Sequence, residues 1–150
     1  MLFIKYALWA ALAGGLIPVM AVLNAKLGAT LGNPLHAPVI LMLVGLLVAI
    51  SISLILTSKL PNVRALGSVN PMYLLGGFFV CFYVVSATLL SPRIGVGNFI
   101  LFAVCTQIVV SAAIDHFGLF GAAVREVSLA RLGGLALVIT GLITSQLAKN

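Results

Sequence analysis

"LGATLGNPLHAPVILMLVGLLVAISISLILTS", Leu27 to Ser58, contains no Asp, Glu, Lys or Arg. A helix needs about 20 predominantly apolar residues to cross the hydrocarbon core of a bilayer. This stretch supplies them even when Pro34 and Pro38 are given to a first turn or a local break. Working outward, charge-free runs recur at 6–25, 65–92, 94–114 and 132–148. The residues that separate them are Lys5, Lys26, Lys59, Arg64, Arg93, Asp115, Arg125, Glu126, Arg131 and Lys149. Five runs predict five transmembrane helices, near 3–24, 35–57, 71–91, 95–116 and 129–147. The last is shortest, and Arg131 and Lys149 can snorkel from its ends.

Composition agrees with that reading. The chain is 63% hydrophobic and 7% charged, with a mean hydropathy of +1.29. A soluble domain carries roughly 25% charge, so this chain has too little polar surface to coat a globule. The expected fold is all-α and polytopic, a single five-helix domain over residues 1–150 lying in the lipid bilayer. The net charge of +6 comes from basic residues scattered singly at helix ends. That is the pattern of membrane orientation signals, and it argues against nucleic-acid binding. The opening "MLFIKYALWAALAGGLIPVMA" has a lysine, an apolar core and small residues, as a signal peptide does; it is read as the first helix.

Catalytic and metal chemistry find no support. The longest polar connections, 58–70 and 117–128, are too short to hold a catalytic domain. HExxH, G-x-S-x-G and a phosphate-binding glycine loop are all missing from the sequence. No enzyme, cofactor or metal is therefore expected, and ATP is not the direct energy source for this chain alone. Cys81 and Cys105 lack metal-ligand spacing and read as small apolar filler. His36 and His116 are far apart. Orientation is weakly encoded. Lys5, Lys59, Arg64, Arg125 and Arg131 share one side, and Lys26, Arg93 and Lys149 share the other. So small a bias is what dual insertion requires and also what few charges give by chance.

Within the helices, polar and helix-breaking residues stand out. In "AGGLIPVM", Pro18 removes the bond to the Gly14 carbonyl and predicts a kink at Gly14–Gly15. "NAKLG" follows, with Asn24 and Lys26 expected to close the first helix. In "TQIVVSAAIDHFG", Gln107, Ser111 and Asp115 recur every four residues and share one side of helix four. In helix five, Gly134 and Gly141 are seven apart, and with Ala130 and Ser145 they form a small-residue side. Small residues let backbones approach where lipid removes any hydrophobic drive to associate.

Taken in order, "GLIPVMAVLNAKLG", "NPLHAPVI", "GGFFVCFYVVSATLLSPRIG", "TQIVVSAAIDHFGLFG" and "SLARLGGLALVITGLI" resemble the YdcZ-like family of short bacterial inner-membrane proteins. That family belongs to the drug/metabolite transporter superfamily. The resemblance covers nearly the whole chain, and "IDHFGLFG" with an Arg-led fifth helix is its most specific element. Lys26 stands where the family usually has arginine, and Thr106 where it usually has glycine. The resemblance implies a five-helix relative of the small multidrug resistance exporters, whose last helix dimerises through glycines seven apart. Those exporters also carry an essential glutamate in helix one. This chain has none, so that proton chemistry does not transfer.

Two uses of the polar residues stay open. Gln107, Asp115, Ser111, Tyr83 and Trp9 are candidates for a substrate or coupling-ion site. The bland alternative for Asp115 is an ion pair with Arg125 or Arg131, or a contact with His116. For Gln107 it is an interhelical brace, for Ser111 a bond to its own helix, and for Tyr83 and Trp9 packing or interfacial anchoring. Gly14, Gly15, Pro18, Asn24 and Lys26 are gate or helix-break candidates. Gly134, Gly141 and Ser145 are dimer-interface candidates. The expected function is a secondary transporter of a small molecule, an exporter in the bacterial inner membrane. Transporters of this kind set two repeats about a midplane site, and one five-helix chain supplies one repeat. The partner is then a second, inverted copy or a paralogue. The alternatives are a non-transporting assembly subunit and a small channel.

Overall fold

The computed structural model describes residues 2–148. Lys149, placed by the sequence at the outer end of helix five, lies outside the described residues. Among the described residues are five helices long and apolar enough to span a bilayer. They are α1 (Leu2–Thr30), α2 (His36–Thr57), α3 (Leu75–Ile94), α4 (Val96–Phe117) and α5 (Leu129–Leu147). The described residues contain no strand. The chain divides into two compact units, one ending at Val96 and one beginning at Gly97.

The first unit contains α1, α2 and α3, which pack on one another. α1 is longer than expected. It is continuous through Gly14, Gly15 and Pro18, so the residues expected to kink it lie inside one helix. One proline removes one backbone bond, whereas leaving the helix would strip several carbonyls of partners with no water to replace them. The helix also continues past Asn24 and Lys26 to Thr30, where the Thr30 hydroxyl donates to the Lys26 carbonyl at 3.0 Å. Asn24 is therefore an interior helical residue and not a terminator. After α1 the chain turns through Asn33, whose Oδ1 accepts from the Leu35 N–H at 2.9 Å. Pro38 lies in the first turn of α2, where its missing N–H costs nothing.

This turn brings the chain back tightly. A Cβ on Gly28 would stand 2.8 Å from the Pro34 Cα, so only glycine allows that approach. Between α2 and α3 lie two short 3-10 turns, Val63–Ser68 and Pro71–Leu74, capped by the side chains of Asn62 and Asn70. α3 therefore begins at Leu75 rather than 71, because the proline-led segment takes the tighter turn. α3 passes to α4 through Gly95 alone, at φ 88°, with its N–H on the Ser91 carbonyl at 2.9 Å. A backbone at that φ suits glycine, which has no Cβ to clash.

Packing in the first unit is concentrated at one end. Buried residues are Ala21, Asn24 and Gly28 on α1, Ala37 and Pro38 on α2, and Val84, Ala87, Thr88 and Ser91 on α3. These are the late part of α1, the start of α2 and the late part of α3. Residues 3–16 and 71–82 toward the other end are all exposed, as is the middle of α2, 43–49.

In the second unit α4 and α5 run antiparallel, tied near both ends. Gln146 Nε2 donates to Asn98 Oδ1 at 3.3 Å, and Arg131 reaches Asp115. The Ser128 side chain caps α5 by accepting from the Arg131 N–H at 3.2 Å.

Candidate functional site

Besides the Gln146–Asn98 bond, each unit holds a polar grouping between its helices. In the first, the Asn24 Nδ2 of α1 donates to the Thr88 Oγ1 of α3. Thr88 in turn donates to the Val84 carbonyl at 2.8 Å, one turn back on its own helix. Asn24 is 4% exposed, and Thr88 and Ser91 are each 2% exposed. Asn24 Oδ1 and Ser91 Oγ are buried without a hydrogen-bond partner. An unmet polar group is costly in an apolar interior, so this corner of the α1–α3 contact retains unused bonding capacity.

A cavity of about 520 Å³ adjoins this contact. Its lining includes Lys26 and Ala29 from α1, Pro34 from the turn, and Thr88, Pro92 and Arg93 from α3. Neither Thr88 nor Ser91 was singled out by sequence reading. The available signal was the spacing in "VVSATLLS". Val84, Thr88 and Ser91 recur at four and three residues and therefore share one helical face. In a helix this apolar throughout, that pattern does not say which face meets a neighbour.

The second grouping centres on Asp115. Its Oδ2 lies 2.9 Å from Arg131 Nη2, joining the end of α4 to the start of α5. Its backbone carbonyl accepts from the Arg125 N–H at 2.8 Å. Asp115 thus ties the end of α4 both to the connection and to the start of α5. The side chains are 38% and 34% exposed for Arg131 and Asp115, so the pair is worth on the order of 1 kcal/mol or less in water. A cavity of about 310 Å³ lies nearby, lined mostly by apolar groups such as Ala112, Phe117, Val127 and Leu135, with His116 at its wall. The His116 ring meets Phe117 edge to face, with centroids 4.9 Å apart.

The structure divides the polar stripe of α4. Asp115 joins α5, whereas Gln107 is exposed and makes no hydrogen bond among the described residues. Gln107 is two residues from buried Cys105, about 200° round the helix. Ser111 donates to the Ile108 carbonyl at 2.9 Å and is also exposed. Tyr83 is half-buried, and Trp9 is 79% exposed on the free end of α1. Gly14 and Gly15 face open space, as do Gly134 and Gly141. Ala130, Gly134, Gly141 and Ser145 are all exposed. The half-buried residues of α5 are Arg131, Leu135, Leu142 and Gln146, each one position further on. The small-residue side is therefore turned about 100° from the half-buried one. His, Cys, Asp and Glu do not gather in threes among the described residues.

Five helices long and apolar enough to span a bilayer, with polar contacts set between helices, define a multi-pass membrane protein. The chain matches the family model described as "Putative inner membrane exporter, YdcZ" over residues 5–144, and it belongs to that family. It is accordingly a multi-pass inner-membrane protein of an exporter family. No curated protein and no solved structure gives a match.

Proposed function

We propose that this protein is a secondary exporter of a small molecule, that its working form is a dimer, and that it operates by alternating access. The observation that carries the reading is the one-ended packing of the first unit. α1, α2 and α3 close on one another around Asn24 and Thr88, while the early part of α1 and the early part of α3 are exposed among the described residues. A helix trio closed at one end and open at the other is half of an alternating-access device. A second copy in the inverted orientation supplies the complementary half. The free small-residue side of α5 offers a surface for that second copy. Family membership supports export and names no cargo.

Reconstitution into liposomes tests the reading. Radiolabelled small cations, amino acids, sugars and organic acids are offered with and without a pH gradient. Saturable, protein-dependent flux that responds to a gradient is the expected result. Flux that rises linearly with concentration identifies a channel. Flux equal to that of protein-free vesicles across the panel favours a non-transporting subunit and defeats the proposal.

A further inference from the structure

The first unit contains Lys5, Lys26, Lys59, Arg64 and Arg93 and no Asp or Glu at all. Two of these cations, Lys26 on α1 and Arg93 on α3, line the same cavity of about 520 Å³. No carboxylate within the unit can neutralise them. Arg93 stands in the last turn of α3, where the helix end contributes roughly half a negative charge, and Lys26 lies before the last turn of α1. Two full cations against at most two such half charges leave at least about one positive charge in excess. The rest of the wall is largely apolar, with Ala29, Leu89, Pro34 and Pro92. Both cations are exposed, so an anion can reach them from outside. The cavity also adjoins a polar corner. Thr88 is fixed by Asn24, and Ser91, beside Pro92 in sequence, is a buried hydroxyl without an acceptor.

We propose that the α1–α3 cavity is an oxyanion site, in which Lys26 and Arg93 together hold a phosphate-like group. This rests on the reading of the chain as an exporter where the anion is cargo. It makes the cargo class anionic and sets the cavity against cations, which would meet two like charges. A phosphate group reaches this position either as a free solute or on a lipid headgroup, and both use the same pair of residues. Arg93 supplies a planar fork for two oxygens, and Lys26 a compact charge on a flexible stem.

The test uses the purified full chain in phosphatidylcholine nanodiscs, with inorganic phosphate as the probe and chloride at equal ionic strength as the control. Binding to the folded state raises the thermal midpoint in a saturable way. Lys26→Gln and Arg93→Gln are each expected to weaken the phosphate response about tenfold, the scale of one charge-assisted hydrogen bond. The double variant should abolish it, and Lys26→Arg should retain it. A second arm replaces part of the phosphatidylcholine with phosphatidylglycerol. A midpoint rise there that needs both residues, without a response to free phosphate, assigns the site to a headgroup. A free-phosphate response that needs both residues assigns it to a solute. Phosphate and phosphatidylglycerol responses no greater than the controls overturn the proposal, as do responses equal in wild type and Lys26→Gln. None of these measurements requires flux. Failure here with saturable transport in liposomes removes the anion class alone, and binding without transport removes the exporter reading alone.

Discussion

Asn24 shows how one amide can decide a helix contact. Its Nδ2 gives Thr88 a bond across α1 and α3, and both side chains are buried. Removing one partner leaves the other desolvated, at a cost of about 1–3 kcal/mol. Removing both avoids that cost. Thr88→Val and Asn24→Leu are therefore expected to destabilise singly, and the double variant by less than their sum. A thermal or denaturant double-mutant cycle measures the coupling, and additive losses would show that the contact carries no stability. Asp115 has a different test. Asp115→Asn and Arg131→Gln should lower stability by similar, small amounts, on the order of 1 kcal/mol, with the double no worse than either single. If Asp115→Asn instead keeps full stability and loses its response to a pH gradient in liposomes, the carboxylate couples transport and does not brace α5. The aspartate and its possible partners were visible in the sequence, because charges in so apolar a chain are few. The threonine was hidden, because its role depends on which face of α3 meets α1.

At the scale of elements, the charge-free runs made the helices legible, since lipid forces a spanning segment to satisfy its own backbone. Their ends were less legible. α1 continues to Thr30 because its last turns pack on the following turn and on α3, not because any terminal residue forbids stopping. Pro18 stands inside an unbroken helix, because opening a helix in lipid costs more than the one backbone bond a proline removes. Gly28 sits where α1 and the following turn nearly touch. Gly28→Ala places a Cβ 2.8 Å from a backbone carbon that cannot yield cheaply. A loss of about 1–3 kcal/mol is expected, the range for overpacking. An unchanged thermal midpoint would show that the turn is free to move aside. On α5, Gly134 and Gly141 meet nothing inside the chain, so replacing both with Leu should spare the monomer's fold. If they form the dimer seam, the same pair of changes should yield monomers on detergent sizing and abolish liposome flux. A dimer that survives both changes places the seam elsewhere.

At the scale of the whole molecule, orientation is the open physical variable. Five basic residues on one side against three on the other is a small bias for a chain with five spanning helices. Each Lys or Arg placed in a short loop contributes to topology, so a difference of two charges leaves the two insertions close in free energy. The inverted dimer needs both orientations in one membrane, and a weak bias is the condition under which one sequence supplies both. Leu66→Cys, in the exposed connection between α2 and α3, tests this after Cys81 and Cys105 are replaced by Ser or Ala. In intact cells a membrane-impermeant maleimide should label roughly half of the molecules, and the remainder only after permeabilisation. Adding two lysines to the 58–70 connection should drive labelling toward one extreme. If an inverted pair is the working form, flux should fall with the minority orientation, and co-expression with an oppositely biased variant should restore it. Uniform labelling of the unmodified chain, with transport intact, would remove the homodimeric inverted pair and leave a parallel dimer or a paralogous partner.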